Sequence, residues 1–102
     1  MKISEVKVLI TGTAGFIGFH LANRLIKEGC DVTGLDEVND YYDINLKYAR
    51  LHEHGVDHEQ LVSGTIAASS KYPNYRFVKL DLAEHDEVVD LMVQERFDYV
   101  VH

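Results

Sequence analysis

One eight-residue stretch, Thr11-Gly12-Thr13-Ala14-Gly15-Phe16-Ile17-Gly18, limits what this chain can fold into more than any other. Its Thr11 ends Lys7-Val8-Leu9-Ile10-Thr11, a short apolar, β-branched run closed by glycine that reads as a buried strand. From Phe16 to Lys27 apolar residues recur at Phe16, Ile17, Leu21, Ala22, Leu25 and Ile26, which is helical spacing, and Gly29 halts the pattern. A glycine turn from strand into helix gathers unpaired N–H groups and the positive end of the helix dipole at one point. That is the construction a pyrophosphate needs. Gly12 is expected to permit the tight turn and Gly15 to let phosphates approach the backbone, while Gly18 lets the helix pack close against the sheet.

The second strand, residues 31–36, ends on Asp36, 21 residues after Gly15. A glycine pattern alone is weak evidence; one that leaves a strand, opens a helix and precedes such an acid meets the test of context. A carboxylate there accepts hydrogen bonds from the adenosine ribose hydroxyls. NADP would bring a phosphate to the same point, and Glu37, Val38, Asn39 and Asp40 offer no arginine or lysine to neutralise it. Several negative groups that close cost kcal/mol at the effective dielectric of a partly exposed site. The expected cofactor is NAD.

Further along, residues 42–54 read as a helix with Ile44, Leu46, Tyr48 and Leu51 inward and Gly55 as its stop. A helical turn within residues 56–62 and a loop over 63–73 lead to an alternating strand at 75–80. A helix over 84–94, with Val88, Leu91 and Met92 on one face, precedes a fourth strand at 97–101. The βαβαβαβ order predicts an α/β fold, a Rossmann-type parallel sheet with strand order 3-2-1-4 and right-handed crossovers. A complete domain of this kind has six strands. Residues 1–102 are therefore expected to form the N-terminal part of a dinucleotide-binding domain, with the rest of that domain and any substrate domain elsewhere. The bare apolar edge of the fourth strand predicts a homodimer or self-association of the fragment.

Seventeen acidic residues against ten basic give a formal net charge of −7, and no basic stripe interleaves with aromatics. A phosphate polymer would be repelled, so neither nucleic acid nor a membrane surface is expected as a partner. No apolar run reaches the length of a spanning helix. Met1-Lys2-Ile3-Ser4-Glu5 is unlike a secretory signal. The single cysteine, Cys30, has no internal disulfide partner and is expected semi-buried at a helix-to-strand turn. The cytoplasm is the expected compartment.

The spacing of Gly12, Gly15 and Gly18 after Thr11 resembles the short-chain dehydrogenase/reductase superfamily, in particular its extended branch, which acts on nucleotide sugars. Gly34-Leu35-Asp36-Glu37-Val38-Asn39-Asp40-Tyr41-Tyr42-Asp43, followed by Leu46-Lys47 and Ala49-Arg50-Leu51, is similar to the UDP-glucuronate 4-epimerase group. Phe77-Val78-Lys79-Leu80-Asp81-Leu82 and Phe97-Asp98-Tyr99-Val100-Val101-His102 fit the third and fourth strands of that group. The likeness is weakest over residues 55–71, and Glu37 stands where the group usually carries asparagine. The resemblance implies that Phe16 and Ile17 present N–H groups to the pyrophosphate and that Asn39 and Asp40 lie beside the adenosine ribose. It also implies that Asp81 meets the adenine amino group, with Leu82 packed on the ring. The implied activity of the parent protein is NAD-dependent epimerisation of a nucleotide sugar by transient oxidation at C4. A 4,6-dehydratase, a decarboxylase or a non-catalytic NAD-binding module are the alternatives.

The family's acid–base pair is a helical Tyr-x-x-x-Lys. Tyr75 and Lys79 have that spacing but fall on a strand, where they lie about 13 Å apart. No catalytic residue is therefore expected within this chain, and the fragment alone should be inactive. His52, His54 and His58 are read as part of a solvated polar segment, since Gly55 interrupts the helix a metal pair would need. Tyr41 and Tyr42 are expected to pack at the base of a loop, and His20 to lie at the surface.

Overall fold

The computed structural model describes residues 2–39 and 43–102. Asp40, Tyr41 and Tyr42 lie outside them. A 3₁₀ turn at Ile3–Glu5 leads into β1 (Lys7–Thr11), α1 (Phe16–Lys27) and β2 (Asp31–Asp36). Next come α2 (Ile44–Glu53), a 3₁₀ turn at His58–Gln60, β3 (Ile66–Ala68), β4 (Tyr75–Lys79), α3 (His85–Glu95) and β5 (Tyr99–Val101). The sheet runs β3-β4-β2-β1-β5. β4, β2, β1 and β5 are parallel and reproduce the expected 3-2-1-4 order, while β3 is antiparallel to β4.

β3 is a fifth strand where a loop was expected. Only three residues long, two of them alanine, it has no alternation to announce it. Ladder hydrogen bonds to β4, in the register Ile66↔Val78 and Ala68↔Arg76, define it. β5 begins two residues later than expected. Phe97 packs instead against the core under α3, and Asp98 brackets Lys7 by accepting its N–H at 2.8 Å while donating its own to the Lys7 carbonyl.

The strands bury both faces. Val8, Ile10, Val32, Tyr75 and Phe77 pack with Ala22 and Ile26 of α1 and Leu51 of α2. Leu9, Leu35, Val78 and Leu80 meet Leu91 of α3 on the other side. Each such burial of a Val, Leu, Ile or Phe side chain stabilises by about 1.5–3 kcal/mol. Cys30, at 3% exposure, belongs to the first layer and is a buried thiol. Two positions expected inward are exposed, Leu46 in the first turn of α2 and Met92, which lies about 100° around α3 from Leu91. His54 is a further correction. It is fully buried, not solvated. Among the described residues, no helix is long and apolar enough to cross a membrane.

Gly34 sits at the centre of the first layer. A Cβ there would meet the Tyr75 hydroxyl at 2.2 Å and the Thr13 hydroxyl at 2.6 Å. Those two buried hydroxyls converge over its backbone without a hydrogen bond of good geometry.

Candidate functional site

β1 ends at Thr11, and the chain leaves the sheet through Gly12 at φ +76°, a left-handed conformation that costs glycine nothing. The Gly12 carbonyl accepts from Gly15 N–H at 2.9 Å and closes the turn. Gly15 is then the N-cap of α1, and among the described residues no side chain caps that helix. Its first-turn N–H groups are thus left for a ligand. Phe16 and Ile17, 65% and 80% exposed, border that end. A Cβ on Gly18 would lie 2.3 Å from the Gly12 carbonyl oxygen. The close approach Gly18 permits is thus to the loop backbone, not to a strand. Glycine is required there because the helix start presses on the turn that precedes it.

Asp36, half-buried at the end of β2, ties the neighbourhood together. Its Oδ2 accepts the Ala14 N–H at 3.1 Å, and its Oδ1 accepts the Val38 N–H at 2.8 Å. Each oxygen keeps lone-pair capacity for a further donor such as a ribose hydroxyl. Val38 has φ +53°, unusual for a β-branched residue, and Asp36 helps to hold that turn.

Two cations from α2 complete the frame. Arg50 Nη1 donates to the Ala14 carbonyl at 3.0 Å. Lys47 Nζ donates to both the backbone carbonyl and Oδ1 of Asn39, at 3.0 and 2.8 Å, and Asn39 Nδ2 donates to Glu37. Neither cation was assigned a role on sequence grounds, because their partners lie eight and thirty-six residues away. Their i, i+3 spacing on one helix face was the available signal.

These groups surround two adjoining clefts across the carboxyl ends of the parallel strands. One, of about 370 Å³, is lined by Gly12, Asp36, Glu37, Asp81 and Leu82 among others. The second, of about 420 Å³, is lined by Gly12, Gly15, Phe16, Ile17, Gly18 and Val101 among others. Thr11, Gly12 and His102 border both, and His102 Nδ1 lies 2.9 Å from Thr11 Oγ1. Eight of the ten residues singled out in the sequence thus line one groove. Asn39 does not line it; it anchors Lys47. Asp40 lies outside the described residues. Asp81 also fixes its own turn, accepting the Ala83 N–H at 2.9 Å. An elongated ligand with a phosphate at its middle fits this ground: an uncapped helix start against a glycine cradle, with a carboxylate beside it.

Tyr75 and Lys79 are on β4, as their alternation indicated. Burial pushes the Tyr75 phenol well above its ordinary pKa; the Thr13 hydroxyl opposes the shift slightly and Asp36 adds to it. A proton-transferring phenol needs the opposite shift. The three histidines are engaged separately. His52 Nδ1 lies 3.0 Å from Asp57, His58 stacks on Tyr48 with ring centroids 4.2 Å apart, and His54 stacks on Phe19.

The model of the NAD dependent epimerase/dehydratase family matches residues 8–102. An uncharacterized protein of Escherichia coli O111:H- is 41% identical over 95 residues, 93% of this chain and 24% of that protein. UDP-glucuronate 4-epimerase of Thermodesulfobacterium geofontis is 33% identical over 94 residues, covering 92% of this chain and 24% of the relative. Among solved structures, an epimerase from the methanogen Methanothermobacter thermautotrophicus superposes with a TM-score of 0.59 at 32% identity, over 93% of this chain and 21% of that one. The chain spans about a quarter of the length of these curated relatives.

Proposed function

Because the chain belongs to the NAD dependent epimerase/dehydratase family, we propose that it is the leading part of the NAD-binding domain of a nucleotide-sugar 4-epimerase. The reaction is of the UDP-glucuronate to UDP-galacturonate type. The relative named UDP-glucuronate 4-epimerase and the solved epimerase support that chemistry over dehydration or decarboxylation. We place the protein in the cytoplasm, in keeping with its family.

Asp36 carries the reading. Its two oxygens are fixed by the Ala14 and Val38 N–H groups, and it lines the same groove as Gly12 and Asp81. In this proposal the start of α1, with Phe16 and Ile17, holds the pyrophosphate, Asp36 the ribose diol, and Asp81 with Leu82 the adenine. NAD, when bound, supplies the acceptor and later the donor of the hydride at the sugar C4. Proton transfer belongs to a Tyr-x-x-x-Lys pair outside this chain, so residues 1–102 alone bind without turning over. Calorimetry on the intact protein should give NAD at least a tenfold tighter Kd than NADP, about 1.4 kcal/mol. Asp36→Ala should narrow the gap. Equal affinities in the wild type would overturn the reading.

We also propose that the 102-residue chain self-associates. Among the described residues β5 pairs on one side only, with β1, and Tyr99 is 64% exposed with Val100 and Val101 also exposed. Val89 and Val93 of α3 add apolar surface nearby in the chain. Light scattering at micromolar concentration should report a dimer or larger species, and Val100→Lys should reduce it. A monomer whose Val100 and Val101 amides exchange freely would refute the proposal.

A further inference from the structure

We propose that Lys47 and Arg50 are positioning residues that strap the two cofactor loops to α2, each holding one loop. The inference rests on the NAD-binding reading above for its purpose, but its geometry stands apart from it. Ala14, buried at the centre of the glycine loop, is gripped at both ends of its backbone. Its N–H donates to Asp36 Oδ2 at 3.1 Å, and its carbonyl accepts from Arg50 Nη1 at 3.0 Å. Three residues earlier on α2, Lys47 holds the loop after β2 through two bonds to Asn39, and Asn39 passes the constraint to Glu37.

The strap has a fixed seat. Asp43 caps α2 by accepting the Asn45 N–H at 2.9 Å, and Leu51 is fully buried against the sheet, so the helix can neither unwind at its start nor slide. Lys47 and Arg50 share one face, and their partners are the two segments that would hold the ribose and the pyrophosphate. Charge-assisted bonds to backbone carbonyls are about twice as strong as neutral ones, and losing one strands a buried acceptor. The distance between the loops is therefore set by a helix that lines neither cleft.

Hydrogen exchange on the ligand-free, intact protein tests the strap without cofactor. Arg50→Met should accelerate the Ala14 amide at least tenfold and leave the Val38 amide within about twofold. Lys47→Met should do the reverse. Arg50→Lys, which keeps a donor, should recover part of the Ala14 protection. A variant that speeds both amides together with Leu51 reports general loosening and overturns the proposal, as does one that speeds neither. With ligand, Arg50→Met should weaken NAD about tenfold and adenosine by less than twofold, because adenosine carries no pyrophosphate for the start of α1 to hold. Equal losses for both ligands would also overturn it. A wild type that fails to bind NAD, yet shows the two-amide pattern, would overturn the proposed function and keep the strap.

Discussion

Gly18→Ala is expected to destabilise the protein by about 3 kcal/mol or more and to remove measurable NAD affinity. The new Cβ would lie 2.3 Å from the Gly12 carbonyl oxygen, 2.7 Å from its carbon and 3.1 Å from the Thr13 Cα. All three are backbone atoms. Overpacking against side chains costs about 1–3 kcal/mol because rotamers can give way; here the helix start or the turn must move. The turn is poorly placed to do so, since Gly12 bonds Gly15 and Leu35 while Ala14 is held by Asp36 and Arg50. Either displacement widens the cradle at the first turn of α1, where a pyrophosphate would sit. Urea denaturation and calorimetry of the intact variant measure both effects. A Gly18→Ala protein within 1 kcal/mol of wild type, binding NAD normally, would show that the close approach is not needed.

Acidification should cost stability through a single buried imidazole. His54 is fully buried, stacked on Phe19 with centroids 4.5 Å apart and tilted against Tyr75. Its Nε2 lies 2.9 Å from Asn23 Oδ1, so Nε2 carries the proton of the neutral ring, and Nδ1 is buried without a hydrogen-bond partner in the structure. Burial lowers its pKa from 6.5 to about 4; Glu53 opposes the shift and Lys71 reinforces it. The native state thus refuses a proton that the unfolded chain accepts. Above pH 6.5 neither state is charged and the full stability is present. It is lost as pH falls from about 6.5 to about 4, approaching about 3 kcal/mol, and no further loss from this group follows below that. His54→Phe keeps the stacking and removes the titration. The wild type should lose about 2–3 kcal/mol more than this variant between pH 7 and pH 4. Parallel stability curves for the two proteins would show that His54 is not the group responsible.

What could be read from the residue order depended on how far apart the cooperating residues lie. Strands β1 and β2, helix α1 and the glycine turn are each specified by neighbours within a few positions, and their limits were readable to the residue. Gly12 and Asp36 were readable because strand ends in a parallel sheet collect at one side, whereas Asp81 was named only through the family resemblance. His54 was not. Its burial requires Phe19 and Asn23, more than thirty positions earlier, to arrive at the end of α2, and in the sequence it sits among His52, Glu53 and Asp57. β3 escaped notice because backbone pairing, not side-chain pattern, defines it. Arg50 and Lys47 escaped because a cation on a helix gives no sign of which carbonyl it will find.

The placing of β1 between β2 and β5 also has a meaning in time. β1 is made well before β5, and its second neighbour closes only when Asp98 reaches Lys7, 91 residues later. At roughly 5–20 residues per second of synthesis, that is a wait of about 5 to 18 seconds. Throughout it, Val8, Leu9 and Ile10 present at least one unpaired apolar edge. Each residue of the segment around β3 lengthens the interval. Until β5 emerges, β1 is therefore an edge at which the nascent chain can pair wrongly.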